Sequence, residues 1–322
     1  MRLRLVPQET NWDFFSRSRL WLGISAFMIV LALVSFGVRG LNYGIDFAGG
    51  TTIRTESAQP VDVGAYRAAL APLELGDVTI TEVYDPTFGD DRNVASVAIQ
   101  AQEGQESVTA DTIAQVEAAL TEVAPDIVFA SVESVGPTVS GELIKTAILA
   151  VCLAIGAVLI YIWLRFEWQF AVGAVLALVH DVVLTLGVFS ELGIRFDLSI
   201  IAALLTIVGY SLNDTVVVFD RVRENLRRFK NRPLKEVLNL SINGTLSRTF
   251  MTSLTTLMAL IALFVLGGDV IRGFVFAMIW GIVVGTYSSI FAASATLLVL
   301  GVKRDWSKDE PQAGTQFGTP DA

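Results

Sequence analysis

The stretch Gly209-Tyr-Ser-Leu-Asn-Asp-Thr-Val-Val-Val-Phe-Asp-Arg-Val-Arg-Glu224 decides how this chain is organised. Its first half ends an apolar run that begins near Leu198, and its second half is charged. Asp214 lies between the two halves. A charged side chain at the centre of a membrane helix costs roughly 2.5–3.5 kcal/mol on insertion scales. Asp214 is therefore a candidate functional residue.

The composition indicates a membrane protein. The chain has 322 residues, of which 53% are hydrophobic, and its mean hydropathy is +0.58; soluble domains are less apolar. The formal charge of −9 argues against a nucleic-acid partner, which would require a basic surface. One cysteine and one histidine, Cys152 and His180, cannot form a Cys/His metal site. We therefore expect no metal and no cofactor. In the absence of a nucleophile–base pair, we also expect no catalytic residue and no enzymatic activity.

Six uncharged or nearly uncharged runs have about the length that a bilayer requires. They predict a polytopic α-helical membrane protein with transmembrane helices at 20–38, 143–164, 170–192, 198–219, 247–266 and 274–300. The remaining segments near the membrane are a polar N-terminus at 1–19, a basic loop at 220–246, a turn at 267–273 and a polar tail at 301–322, which we expect to be disordered. Within the basic loop we expect one helix and then a break near Asn231-Arg-Pro233.

The distribution of basic residues predicts the orientation. The 220–246 segment carries Arg221, Arg223, Arg227, Arg228, Lys230, Arg232 and Lys235. The predicted outer loops carry only Arg195 and Arg272, each with an acidic residue nearby. Because basic loops stay in the cytoplasm, both termini are expected there, and segment 39–140 is expected outside.

Segment 39–140 has the character of a water-soluble domain. It contains four arginines and 16 acidic residues, a net charge of −12, which leaves +3 for the rest of the chain. Strands are predicted at 51–56, 78–84, 93–101 and 127–135, and helices at 62–73, capped by Asp62, and 109–123, capped by Thr109 or Asp111. The order β-α-β-β-α-β predicts an inserted α+β domain of ferredoxin-like fold between the first two membrane helices.

Arg248 is the candidate partner of Asp214. Asp214 precedes Asp220 by six residues, or about 9 Å along a helix, and Arg248 lies near the start of the next predicted membrane helix. Polar side chains that could surround the acid are Ser211, Asn213, Thr215, Thr249, Thr252, Ser253, Thr255 and Thr256. Two interpretations remain open: a proton relay through Asp214, and a structural ion pair with interhelical hydrogen bonds.

His180 and Asp181 form a second candidate pair, near the middle of the third predicted helix. They could be further members of a proton pathway or serve helix packing. Neighbouring residues on a helix point about 100° apart. One of the two is therefore expected to face a partner that this chain does not supply.

Two glycine-rich stretches have structural interpretations. Segment 42–50 lacks the strand–turn–helix setting and the lysine of a phosphate-binding loop, so we interpret it as a tight turn into the first strand. Gly281 and Gly285, with Ser288 and Ser289, are interpreted as a closely packed helix face.

These motifs together resemble the SecD/SecF family of bacterial protein-export membrane proteins, within the RND superfamily, and in particular its SecF members. The resemblance covers about residues 11–300. It is carried by Asn42-Tyr-Gly-Ile-Asp-Phe-Ala-Gly-Gly50, His180-Asp181, the stretch from Gly209 to Asn225, Ser247-Arg-Thr with Thr252-Ser-Leu-Thr-Thr256, and Gly285-Thr-Tyr-Ser-Ser-Ile290.

The resemblance implies a function and partners. It implies pairing with SecD into a twelve-span unit of the bacterial cytoplasmic (inner) membrane, which uses the proton-motive force to assist preproteins through the SecYEG channel, together with SecA and YajC. The domain at 39–140 would be periplasmic. By resemblance, Asp214 is the proton-pathway acid and Arg248 is its partner arginine. His180 and Asp181 match a family motif, and together with Asn213, the neighbour of Asp214, they are further candidates for the proton pathway. The alternatives are a proton-coupled exporter of small molecules and a structural subunit without a proton step.

Overall fold

A computed structural model describes residues 10–83, 92–101 and 108–302. Six helical segments in this part are long and apolar enough to cross a membrane. They are α1 (Ser18–Arg39), α5 (Pro137–Arg165), α6 (Trp168–Leu192), α7 (Leu198–Arg228), α8 (Leu234–Leu266) and the segment Gly268–Leu300. The tail from 303 onward and the predicted turn between the middle strands at 84–91 lie outside the described residues.

The helices are longer than the predicted membrane spans. α7 continues to Arg228 and α8 begins at Leu234, so most of the predicted loop 220–246 is helical. The break lies at Asn231-Arg-Pro233, where proline cannot continue a preceding helix. The predicted turn at 267–273 is also mostly helical, because the last segment already begins at Gly268.

The last segment changes its helical form halfway. It consists of α9 (Gly268–Tyr287), a π-helical turn at Ser288–Ala293 and α10 (Ser294–Leu300). The hydroxyl of Ser294 donates to the carbonyl of Ser289, five residues earlier (3.2 Å). Such π turns insert an extra residue and are frequent at functional sites.

α6, α7 and the last segment form the buried centre of the bundle. About half of the most apolar part of each is buried, compared with 11% for α1, α5 and α8. α1 packs closely on α6, where a Cβ added at Gly187 would lie 2.3 Å from Cβ of Ala32. The exposed faces of α1, α5 and α8 are apolar, as expected for surfaces that face lipid or another membrane subunit.

The segment between α1 and α5 carries a four-stranded antiparallel sheet. Its elements are β2 (Gly50–Ser57), α3 (Val63–Leu70), β3 (Val78–Val83), β4 (Asn93–Gln100), α4 (Ala110–Val123) and β5 (Val128–Val135), and the strands lie side by side in the order β3-β4-β2-β5. Ile53 and Val97 of the sheet pack with Tyr66 of α3 and Leu120 of α4 in one apolar core. Both predicted caps are confirmed: Asp62 accepts from the Ala65 amide and Thr109 from the Thr112 amide.

A short joint connects this sheet to the bundle. β1 (Asn42–Tyr43) pairs in parallel with β6 (Arg195–Phe196), and the single turn α2 (Ile45–Ala48) leads into β2. The predicted entry into the first strand ends at Gly50, the first residue of β2, whose φ of +135° is accessible to glycine and strained for other residues. A side-chain oxygen of Asp46 accepts a hydrogen bond from the amide of Leu198, the first residue of α7 (2.9 Å).

Candidate functional site

The helix α7 presents two polar side chains on one face at the middle of the bundle. Ser211 and Asp214 are three residues apart, the spacing that brings side chains together on a helix. Both are buried, with 1% and 8% of their surfaces exposed. They face two different clusters of hydrogen bonds, which α7 therefore joins.

The first cluster surrounds Asp214. Its Oδ1 accepts a hydrogen bond from Thr249 of α8 (2.5 Å), and its Oδ2 accepts one from Ser289 of the π turn. Within the described ranges, no ion pair involves Asp214. Its carboxyl group is thus held by two neutral hydroxyls and not by direct contact with a cation.

The second cluster surrounds Asp181 of α6, which is fully buried. Its Oδ2 accepts hydrogen bonds from Ser211 (2.6 Å) and Ser288 (2.8 Å), and its Oδ1 lies 3.0 Å from Nδ1 of His180. The expectation that one member of the His180–Asp181 pair faces an external partner was wrong. It assumed that neighbours on a helix cannot meet, but the imidazole and the carboxylate turn toward each other.

His180 is also buried, with 2% of its surface exposed. Its ring stacks on Tyr287 (6.1 Å between ring centres), and the hydroxyl of Tyr287 bonds to Ser25 and to the carbonyl of Trp21 on α1. Nε2 of His180 has no hydrogen-bond partner in the part of the chain that the structure describes. The imidazole therefore has one nitrogen at the carboxylate and one without a hydrogen-bond partner among the described residues.

The two clusters meet at the π turn. Ser288 bonds to Asp181 and Ser289 to Asp214, and each hydroxyl also has a second acceptor in its own helix. These second acceptors are the Gly285 carbonyl for Ser288 (3.2 Å) and the Thr286 carbonyl for Ser289 (3.1 Å). Both serines can therefore release a carboxylate without losing every hydrogen-bond acceptor, which a buried hydroxyl requires.

Two predicted residues do not contact the buried acid directly. Arg248 is exposed and forms no ion pair with Asp214 in the described part of the chain. Asn213 is exposed on the neighbouring face of α7. Both lie within one residue of a group at the centre, Thr249 or Asp214.

The sequence interpretation missed Ser288 and Ser289, which were assigned to helix packing. Gly285 does serve close packing, since its added Cβ would lie 3.1 Å from Cβ of Ser211. The signal for the serines was available in the polar run Thr286-Tyr-Ser-Ser289 inside an apolar helix. Of the predicted hydroxyl lining, Thr249 contacts Asp214, whereas Ser211 bonds to Asp181 and Ser253 to Thr286.

The arrangement offers proton chemistry and no evident metal site. Among the described residues, no group of three or more His, Cys, Asp or Glu side chains converges in a way that could hold a metal ion. What it offers is two buried carboxylates, one imidazole and a set of hydroxyls that can both donate and accept.

Comparison with known proteins identifies the family. Residues 34–61 match the family described as SecD/SecF GG Motif, and residues 115–303 match Protein export membrane protein SecD/SecF, C-terminal. Protein translocase subunit SecF of Cereibacter sphaeroides is 59% identical over 321 residues, which cover 100% of this chain and 99% of that protein. Protein translocase subunit SecF of Rhodobacter capsulatus is 54% identical over 330 residues and covers 99% of both chains.

A solved structure shares the fold. The crystal structure of SecDF, a translocon-associated membrane protein from Thermus thermophilus, is 36% identical and superimposes with a TM-score of 0.82 over 93% of this chain. The matched region is 40% of the SecDF chain, so this chain spans about two fifths of its length. On the strength of these similarities along its whole length, the chain belongs to the SecD/SecF family of protein-export membrane proteins, as a SecF member.

Proposed function

We propose that this chain is the SecF half of a proton-driven accessory complex, which assists preproteins on their way through the SecYEG channel. A proton moves past Asp214, with Arg248 nearby, and its movement is coupled to motion of the outer domain. The observation that carries the proposal is the environment of Asp214: a buried carboxylate on a membrane helix, held by hydroxyls instead of a cation.

This environment favours the relay over the structural ion pair. An acid retained for stability would be expected to pair directly with Arg248, because an unpaired buried charge is costly. Hydroxyl partners suit both protonation states, since they donate to the carboxylate and accept from the carboxylic acid. Arg248 precedes Thr249 and forms no ion pair with the acid in the described part of the chain.

Protonation would rearrange a definite set of hydrogen bonds. Thr249 and Ser289 both donate hydrogen bonds to the carboxylate. Once Asp214 is protonated, one of the two hydroxyls must instead accept a hydrogen bond from the acid O–H. Ser289 can do so by donating to the Thr286 carbonyl instead (3.1 Å). The π turn that holds Ser289 is thereby the element that responds to the proton, and Ser288 carries the response to Asp181 and His180.

The outer domain completes the proposal. Its element order and its strand order β3-β4-β2-β5 support a ferredoxin-like fold. The joint at Asp46 ties it to the start of α7, the helix that carries Asp214. A shift of α7 would therefore act on the domain through a short and well-defined contact.

Partners and location follow from the same proposal. The apolar faces of α1, α5 and α8 are the surfaces available to SecD and to lipid, and the complex works beside SecYEG with SecA and YajC. Both termini lie in the cytoplasm, the domain at 39–140 lies in the periplasm, and the membrane is the bacterial inner membrane. The chain performs no covalent chemistry and is not an enzyme.

The test is export into inverted membrane vesicles that contain the partner subunit, with and without a proton gradient. Asp214→Asn replaces the carboxyl group, which can bind a proton, with an amide of nearly the same size that cannot. It should abolish the gradient-dependent part of export while the complex still assembles. An assembled variant with full gradient dependence would instead support the structural-subunit alternative. Gradient-driven efflux of small molecules without an effect on export would support the exporter alternative.

A further inference from the structure

A basic cavity lies at the end of the bundle opposite to the outer domain. It has a volume of about 520 Å³, within the range of small-molecule sites. Its lining consists of the end of α5 and the last three turns of α7: Arg165, Asp220, Arg223, Glu224, Arg227 and Arg228. Four guanidinium groups and two carboxylates give it a formal charge of +2, and the proton pathway uses none of them.

The arginines are positioned by an aromatic side chain and by the backbone. The guanidinium of Arg165 lies 5.1 Å from the ring centre of the buried Phe166, and that of Arg223 lies 6.0 Å from the same ring. Arg223 also donates to the Arg165 carbonyl (3.3 Å). The two like charges are thus held against one ring, and an anion between them would lower their mutual repulsion.

The neighbouring residues indicate where the cavity lies in the membrane. Trp163 and Trp168 flank Arg165 in the sequence, and both are more than half exposed. Tryptophan at the ends of membrane helices lies at the level of the lipid head groups. The apolar Leu164, between Trp163 and Arg165, is 80% exposed. A phosphate in this cavity would therefore lie at head-group depth, with an apolar surface beside it for an acyl chain.

We propose that this cavity binds the phosphate of an anionic membrane phospholipid. Arginine recognises phosphate through paired N–H donors, and basic pockets between membrane helices on the cytoplasmic side are known to bind such head groups. Asp220 limits the affinity, because it already forms an ion pair with Arg165 (3.1 Å). The lipid site rests on the proposed membrane placement and is independent of proton coupling.

The test uses the detergent-solubilised full chain with its partner subunit and counts retained lipids by native mass spectrometry. Phosphatidylglycerol, phosphatidylcholine and inorganic phosphate are added separately. The wild type should retain one phosphatidylglycerol in preference to phosphatidylcholine, and millimolar inorganic phosphate should not displace it. Displacement by phosphate, or equal retention of the two lipids, would overturn the proposal.

Variants locate the site. The double variant Arg165→Gln/Arg227→Gln should lower phosphatidylglycerol retention by on the order of tenfold, since each arginine contributes about a few-fold near a membrane surface. The matched control Arg17→Gln/Arg19→Gln removes two exposed arginines elsewhere and should leave retention unchanged. Asp220→Asn should increase retention, an effect that misfolding does not produce.

Two results would contradict the site. An equal loss of phosphatidylglycerol retention in the double variant and its control would show that the lipid is attracted to basic surface in general and not to this cavity. Unchanged lipid retention together with weaker recovery of a partner protein would assign the cavity to a protein interface. Export driven by the proton gradient is measured in parallel, so that a failure of the lipid site is distinguished from a failure of the proposed function.

Discussion

Ser288 and Ser289 are neighbours in the chain, yet Ser288 donates a hydrogen bond to Asp181 of α6 and Ser289 donates one to Asp214 of α7. In a π turn, an extra residue changes the direction in which successive side chains point. The turn thereby links two buried acids on two different helices. A change at one acid can reach the other through two consecutive residues of one backbone segment.

The first prediction concerns these two serines. Ser289→Ala removes one of the two donors to Asp214 and should reduce gradient-driven export severalfold, because a lost hydrogen bond to a charged group corresponds to about 1.5–3 kcal/mol. Ser288→Ala should affect Asp181 in the same way and, through the shared turn, lower export to a smaller degree. The measurement is export into vesicles across a range of imposed proton gradients.

Thr296→Ala is the matched control for the serine variants. Its hydroxyl bonds only to the Ala292 carbonyl of its own helix in the described structure. It should export like the wild type. If Thr296→Ala and Ser289→Ala lose export equally, the hydroxyls matter for helix stability and the link between the acids has no role.

The second prediction concerns Asp214 itself. Asp214→Asn should lose the gradient-dependent part of export, whereas Asp214→Glu should recover part of it by restoring a titratable group at a shifted position. Glu236→Gln, which removes an exposed carboxylate at the start of α8, is the control and should have no effect. Complex assembly is checked by co-purification, because only an assembled variant is informative. Equal export by Asp214→Asn and Glu236→Gln would contradict a proton step at Asp214.

The sequence predicts the helices well because a membrane span has a strong signal: about 20 apolar residues with charges at the ends. The positions of the outer strands and helices were also predictable, since Asp62 and Thr109 are recognisable caps and the strands alternate. The helix after Asp220 and its break near Pro233 were also predicted, whereas the continuity of α7 and α8 with the membrane spans was not. Their polar ends, such as Asp220–Arg228, have no apolar signal and are helical because they continue an established helix.

The site was predictable in its acids and in one of their partners, Thr249, and not in the serines of the π turn. Asp214 and Asp181 stand out because acids are rare in apolar helices. Serine and threonine are common there, so the roles of Ser288 and Ser289 depend on a π turn that the sequence pattern does not announce. The direct pairing of Asp214 with Arg248 was inferred from depth alone. Depth does not fix direction around the helix, and Arg248 points to the exposed side.

The third prediction concerns the pH dependence of the outer domain. The pKa of Asp126 lies below its ordinary value, mainly because its carboxylate accepts a hydrogen bond from the Ala58 amide, with Ser57 as a further donor. A lowered folded-state pKa stabilises the domain above the unfolded-state value near 3.8, and this contribution is lost as the pH falls through the folded-state pKa. The melting temperature of the wild type should therefore decrease on acidification below about pH 4.

Asp126→Asn should lower the melting temperature at neutral pH and weaken its dependence on pH in the acid range. Glu117→Gln removes an exposed carboxylate of α4 and serves as the control, with a pH profile like that of the wild type. The profile is followed by thermal unfolding with circular dichroism. An Asp126→Asn profile that is parallel to the wild type would contradict a role of this carboxylate in acid sensitivity.

The fourth prediction concerns Gly50. With φ at +135°, an added Cβ would lie 2.2 Å from the carbonyl oxygen of Ile99, which belongs to the neighbouring strand. Gly50→Ala should therefore destabilise the domain by at least about 1–3 kcal/mol, the usual cost of a strained backbone position, and increase proteolytic cleavage within 39–140. Gly141→Ala lies on α5, where an added Cβ meets nothing within 4 Å. This variant should be cleaved no faster than the wild type. Equal cleavage of the two variants would show that the turn tolerates a side chain.

The fifth prediction tests the joint between the outer domain and α7. Asp46→Ala removes the side-chain acceptor of the Leu198 amide. Loss of a helix-capping side chain lowers stability by about 1 kcal/mol. It should weaken the coupling of export to the gradient without altering the environment of Asp214. Asp46→Asn keeps a side-chain oxygen at this position and should preserve most of the coupling.

Asp62→Ala removes a comparable cap inside the domain, on α3, and is the matched control. If both alanine variants lower export to the same extent, the effect is one of domain stability. A loss confined to Asp46→Ala, measured as export per unit of imposed gradient, would establish that α7 acts on the domain through this contact.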